Sequence, residues 1–192
     1  MAKIILASSS PRRSQLLEQI GVKFTIDSQE VDENIPYIDA ADLVKNLSLK
    51  KAQAVAQNYQ DGIIIGADTI VAFNGQIYGK PKDERQARQM LESLSGNFHE
   101  VLTAIAVVDA KEPHKVVQRV VSTKVYFRRL SASDIQQYLA WGEYKDKAGA
   151  YGIQGKGAVL VEKIEGCFYN VVGLPISALI DACAEMGVNI YE

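Results

Sequence analysis

Apolar positions along the chain alternate between helical and strand spacing, and the alternation predicts the order of its elements. Residues 3–7 form a short apolar strand. Ser10 then stands at an N-cap position and Pro11 at the first helical one, and Leu16, Leu17 and Ile20 make a helical stripe that Gly21 ends. Residues 22–26 predict a second strand and 39–59 a long amphipathic helix, with a polar, acidic loop between them. Further on, 63–65 and 69–73 are β-branched runs broken by Gly66, Ala67 and Asp68, and Asn74-Gly75 is a hairpin turn leading into 76–78. Residues 83–94 have helical spacing and stop at Ser95-Gly96. Residues 101–108 and 116–127 read as long antiparallel strands joined around Pro113. Ser131 caps a helix running to Trp141. After a Gly-rich loop, 158–164 and 168–172 predict another hairpin, around Glu165-Gly166, and Pro175 opens a last helix to Met186. Strands and helices alternate with no repeat or linker, which predicts one α/β domain over residues 1–192 with a mixed sheet, pinched into two lobes around a cleft.

Composition narrows the function classes. With 47% hydrophobic and 23% charged residues, the 192-residue chain has the make-up of a soluble globular protein that needs no disulfide staples. Its 21 basic and 23 acidic residues give a net charge of -2, which disfavours nonspecific nucleic-acid binding but leaves room for a local cationic site. Cys167 and Cys183 are too far apart for a redox pair and too few for a zinc cage, so a reducing cytoplasm is expected. No export signal and no membrane-length apolar run is visible, so no membrane partner is expected.

Four segments carry candidate chemistry. Ser8, Ser9 and Ser10 precede Pro11, Arg12 and Arg13 where a strand hands over to a helix, so hydroxyls, free N–H groups and guanidinium forks can seat a polyphosphate; a capped surface helix with solvated arginines has the same sequence. Asp68 sits among buried aliphatics, either as a metal ligand or general base or as a turn former bonded to nearby amides. Lys80, between Gly79 and Pro81, is placed to reach a phosphate or to guard an edge strand. The loop 147–157 holds four glycines, counted as Gly149, Gly152, Gly155 and Gly157, and Gln154 within it can read both a donor and an acceptor on a base; a simple bend is the plainer reading. Glu30, Asp32 and Glu33 form an acidic stretch, and Lys50 and Lys51 lie on the helix that follows; either group can be solvated surface. His99 and His114 lack the spacing of a metal site or a triad and are read as structural or exposed.

The ordered set ASSSPRR at 7–13, GADTIV at 66–71, YGKP at 78–81, LSG at 94–96, KAGAYGIQG at 147–155 and VVGLP at 171–175 resembles the Maf family of nucleotide pyrophosphatases over nearly the whole chain. The resemblance implies a mixed, mostly antiparallel elongated sheet flanked by helices, with two lobes around a central cleft as in ITPase-like proteins. It also implies hydrolysis of a nucleoside triphosphate to monophosphate and pyrophosphate with Mg2+ or Mn2+. Arg12, Thr after the Asp, and AYGIQG are similar to the branch acting on dTTP and UTP, a sister branch for 7-methyl-GTP carrying Trp at the position of Arg12 and Glu at that of Gln154. By matching position Arg12, Thr69 and Gln154 are implied as selectivity residues, and Ser8, Arg13, Lys51 and Lys80 as phosphate-binding. Asp68 is implied either as proton acceptor or, instead, as a metal ligand together with Glu33. A homodimer in the cytoplasm is the family expectation. A nucleotide-binding regulator of septum formation with little turnover is the rival class, and an RNA-binding module ranks behind both.

Overall fold

The computed structural model describes residues 2–191. Ile4, Ile5, Leu6 and Ala7 are all buried, which a strand achieves only when both of its faces are covered. This strand, β1 (Ile4–Ala7), runs parallel to β2 (Phe24–Ile26) and to the start of β3 (Ile63–Phe73). Helices α1 (Pro11–Gln19) and α2 (Ala40–Ala56) lie in the long connections that parallel pairing requires. Asp39 starts α2 by accepting a hydrogen bond from the Asp42 backbone N–H at 2.8 Å. At the far end of β3, Asn74 and Gly75 have φ of 48° and 75°, the left-handed pair that turns the chain into antiparallel β4 (Gln76–Tyr78).

Asp83 caps α3 (Glu84–Leu94) in the same way as Asp39 caps α2. The next two strands, β5 (Phe98–Asp109) and β6 (Val116–Phe127), are neighbours joined by residues 110–115, a connection too short for a crossover and therefore antiparallel. The Ala110 N–H donates to the Gly62 carbonyl at 2.9 Å, setting the end of β5 beside the start of β3, so this pair is antiparallel too. A reciprocal capping box between Ser131 and Asp134 opens α4 (Ala132–Ala140). β7 (Val161–Glu165) runs antiparallel to β6, and α5 (Phe168–Val172) and α6 (Ile176–Glu185) complete the chain. The strand order is β2-β1-β3-β5-β6-β7 with β4 on β3, and most of these pairings are antiparallel, as the sequence predicts for a mixed α/β sheet.

The chain divides into two compact units: Met1–Asp68, Thr103–Val121 and Gly173–Glu192 form unit 1, and Thr69–Leu102 with Ser122–Val172 forms unit 2. In unit 1, the apolar core joins Ile5, Ala7 and Ile64 to Ala52, Val55 and Ala56 of α2 and to Ala106 and Val108. Small side chains let α2 lie close on the sheet. At Gly66 the approach is extreme, since a Cβ there would stand 2.3 Å from the Ser48 carbonyl oxygen and 2.9 Å from the Ala52 nitrogen. In unit 2, α3 and α4 cover Val71, Val101, Val125 and Phe127 with Leu91, Leu94, Ile135 and Tyr138. Each large side chain so buried contributes roughly 1.5–3 kcal/mol.

Two segments depart from the sequence reading. The expected break at Gly66, Ala67 and Asp68 is absent, because β3 runs unbroken from Ile63 to Phe73 and its glycine serves helix packing rather than a turn. The expected strand at 168–172 is helix α5, and 155–159 is a short 3-10 turn that delays β7 to Val161. Tertiary bonds override strand propensity in α5. The Thr123 hydroxyl accepts from the Cys167 N–H at 3.0 Å, and the Asn170 amide donates to it and to the Val101 carbonyl, each at 2.9 Å. No helix among the described residues is long and apolar enough to cross a membrane.

Candidate functional site

Unit 1 gathers a charged cluster around the end of β1. Ser8, the first residue past the strand, is buried. Its Oγ accepts from the Ser10 backbone N–H at 3.3 Å and from the Arg13 guanidinium at 2.9 Å. Arg13 Nε also donates to the Gly173 carbonyl at 2.8 Å, so its fork is fixed from two sides. Ser10 occupies the N-cap position of α1, yet its side chain makes no capping bond. The hydroxyls of this segment are thus not spent on closing the helix, and the positive end of α1 stays available to an anion. Arg12 and Arg13, half-buried, stand on the first turn of that helix.

Asp68 enters from β3. Side chains alternate along a strand, so Asp68 points to the same face as Gly66, the face on which α2 rests. The absence of a side chain at Gly66 is what brings α2 near enough for the Lys51 ammonium to reach the Asp68 carboxylate, at 2.6 Å. The same ammonium holds Glu33 at 2.7 Å. The neighbouring Lys50 donates to the Asp32 carbonyl at 2.7 Å, so the paired lysines read in the sequence tie the acidic loop onto α2. Asp68 is 8% exposed. Burial pushes its carboxyl above the ordinary value while the charge and hydrogen bond of Lys51 pull the other way, which leaves a carboxylate of enhanced basicity. Burial likewise lowers the Arg13 guanidinium, opposed by the charges of Asp68 and Glu33. Ser8, Arg13, Glu33, Lys51 and Asp68 therefore form one interacting group.

The donor set can be weighed for a divalent ion. Two carboxylates converge on one ammonium, and the described residues contain no group of three or more His, Cys, Asp or Glu able to hold a metal by themselves. Two carboxylates are the number through which a hard cation such as Mg2+ is held when water and substrate phosphates supply its other oxygens, and here both are ion-paired to Lys51.

Unit 2 carries the remaining sequence candidates. Thr69, half-buried, follows Asp68 on β3 and points to the opposite face. Exposed Lys80 follows β4, and exposed Gln154 lies in the Gly-rich loop. The two segments are joined: the Gly149 N–H donates to the Gly79 carbonyl at 3.1 Å. The loop is tightly built, since a Cβ at Gly157 would stand 1.7 Å from the Gly152 carbonyl oxygen and one at Gly149 would stand 2.9 Å from Val71. His99 is buried and neutral, held down to about 4 by desolvation, and shares a 2.6 Å hydrogen bond with the Tyr151 hydroxyl. His114 is exposed.

Sequence reasoning missed the Gly173 carbonyl, 160 residues from Arg13, and the Tyr151 partner of His99. The glycine of VVGLP, whose φ is 122°, was the only local signal for the first.

The chain is similar to known proteins of one family. Residues 3–186 match the family described as Maf-like protein. A dTTP/UTP pyrophosphatase of Dictyoglomus turgidum is 50% identical over 98% of this chain and 98% of its own. Proteins with the same description from Clostridium botulinum and Bacillus cereus are each 48% identical over 99% of this chain, and over 100% and 98% of their own lengths. Among solved structures, a HAM1 protein from Coxiella burnetii shares the fold, with a TM-score of 0.51 and 16% identity over 68% of this chain and 75% of its own. With a family match over residues 3–186 and relatives near half identical, the chain belongs to the Maf-like protein family.

Proposed function

We propose that this chain is a nucleoside triphosphate pyrophosphatase acting on dTTP and UTP, releasing the monophosphate and pyrophosphate. The observation that carries the reading is the Asp68–Lys51–Glu33 ion-paired cluster beside Ser8 and Arg13: a buried, basic carboxylate set among cations and hydroxyls suited to a polyphosphate. The curated relatives bear the same activity in their descriptions.

A triphosphate resists attack by water because its oxygens are negative, so the chain must first neutralise them. Arg13, fixed by Ser8 and Gly173, presents its fork at a set angle. Lys51 and Lys80 add charge, and Ser8 with the open end of α1 supplies neutral donors. Asp68 accepts the proton of the water that attacks the first phosphorus, its basicity raised by burial. The bond to the oxygen bridging toward the second phosphorus breaks, and pyrophosphate departs. Where Asp68 instead joins Glu33 in holding a divalent ion, Mg2+ or Mn2+, the ion would offset the negative charge of the phosphate oxygens and take over the activation of water from the carboxylate. Base choice falls to Arg12, Thr69 and Gln154, because a polar reader loses heavily when the base lacks the matching group.

The test is a panel of UTP, dTTP, CTP, ATP and GTP with Mg2+ or Mn2+, followed by pyrophosphate release. UTP and dTTP should be turned over much faster than the others; equal rates across the panel, or no release at all, would overturn the reading. The second result would favour a regulator that binds nucleotide without turning it over.

A further inference from the structure

The Gly-rich loop of unit 2 contains a strained turn with a buried polar anchor immediately beside it. Gly149 and Ala150 are consecutive left-handed residues, with φ of 68° and 63°. Glycine adopts that region freely, but a residue with a Cβ pays for it, and such strain persists only where the surroundings hold it in place. Ala150 is fully buried. Tyr151 follows it directly, with its ring at the centre of an aromatic trio, 4.7 Å from Phe127 and 5.3 Å from His99, both edge-on. Its hydroxyl meets His99 Nε2 at 2.6 Å. Gln154 is three residues further along the same loop.

Neither side of this pair titrates near neutrality. His99 stays uncharged because burial holds it at about 4, and burial pushes Tyr151 well above its ordinary value. No charged partner is needed to orient the imidazole, and its Nδ1 makes no hydrogen bond among the described residues. The pair is therefore a neutral post rather than an acid, a base or a relay.

We infer that His99 and Tyr151 are positioning residues for base selection: their hydrogen bond holds the left-handed turn at Gly149 and Ala150, and the turn aims Gln154. The inference rests on the reading of Gln154 as the base reader. It predicts that discrimination between UTP and CTP depends on a hydroxyl that does not itself touch the nucleotide.

Tyr151→Phe keeps the ring and removes the hydroxyl. The ratio of kcat/KM for UTP to that for CTP should fall about tenfold, the equivalent of one hydrogen bond, through KM for UTP with kcat within about twofold. Adding Ala150→Gly to Tyr151→Phe relieves the left-handed strain, so the latch is less needed and discrimination should recover. Unchanged discrimination in Tyr151→Phe would overturn the inference. So would a loss of kcat for both nucleotides that follows the melting temperature, which is what a merely structural bond gives. Gln154→Ala separates the two levels: if it leaves discrimination intact, the base-reader assignment fails and takes the inference with it. If it abolishes discrimination while Tyr151→Phe does not, the latch alone fails.

Discussion

The two units of this protein solve opposite physical problems. Unit 1 holds charges where charges are costly: a carboxylate that is 8% exposed, an ammonium shared between two acids and a guanidinium fixed from two sides. Unit 2 holds the strained turn of its Gly-rich loop through glycine contacts, aromatic edges and a hydrogen bond between two neutral rings, with the ion-paired Lys147 at the loop's start. The difference suits the proposed division of labour for most of the site residues, Arg12 of unit 1 and Lys80 of unit 2 excepted. Phosphate chemistry needs strong fields arranged in advance, whereas reading a base needs a donor and an acceptor held at a fixed angle.

If that division is right, removing one charge in unit 1 should stop chemistry without unfolding the chain. Asp68→Asn keeps the size of the side chain and leaves Lys51 its Glu33 partner. Turnover should fall by roughly 10²–10⁴-fold with the melting temperature nearly unchanged, as read by pyrophosphate release and circular dichroism. Activity close to normal would remove Asp68 from the reaction.

Protons should act on unit 2 through stability. His99 is neutral in the folded chain down to about pH 4, while in the unfolded chain it takes up a proton below its ordinary 6.5. Its contribution is therefore fully present above 6.5 and is lost as pH falls through 4, a change of about 3 kcal/mol from a shift of this size. Urea midpoints measured across that range should fall with pH, and His99→Phe should flatten the slope. An equally steep slope in the variant would assign the effect to other groups.

A smaller effect sharpens the electrostatic side. Lys51 pulls the Asp68 carboxyl down against burial, so Lys51→Met should move the acid limb of the pH–rate profile to higher pH. An acid limb that stays in place would mean that Asp68 is not the group it reports.

Much of the fold was legible because local chemistry and tertiary context agree. Ser131 caps the helix its position predicts, the helices expected in 39–59 and 83–94 form, and Asn74-Gly75 makes the turn its φ preference demands, whereas Ser10 takes the predicted N-cap position without a side-chain capping bond. The reading failed where long-range packing took over. Gly66 looks like a strand breaker in sequence but is the contact point of α2, and 168–172 has strand composition but is coiled by bonds to Thr123 and Val101. The same limit applies to the site. Ser8, Arg13 and Asp68 were visible as types of residue in suggestive settings, with the resemblance to a family raising each above its bland alternative. That Lys51 would reach both acids depends on how closely α2 approaches β3, and that His99 would meet Tyr151 depends on a pairing 52 residues apart. Neither distance has a local signature.

The central claim is that water attacks the first phosphorus within the charged cluster of unit 1. Hydrolysis of UTP in 18O-labelled water with Mg2+, followed by mass spectrometry of the products, tests it directly. The label should appear in the monophosphate, with unlabelled pyrophosphate; label in the pyrophosphate or in orthophosphate would place the attack elsewhere and contradict the assignment.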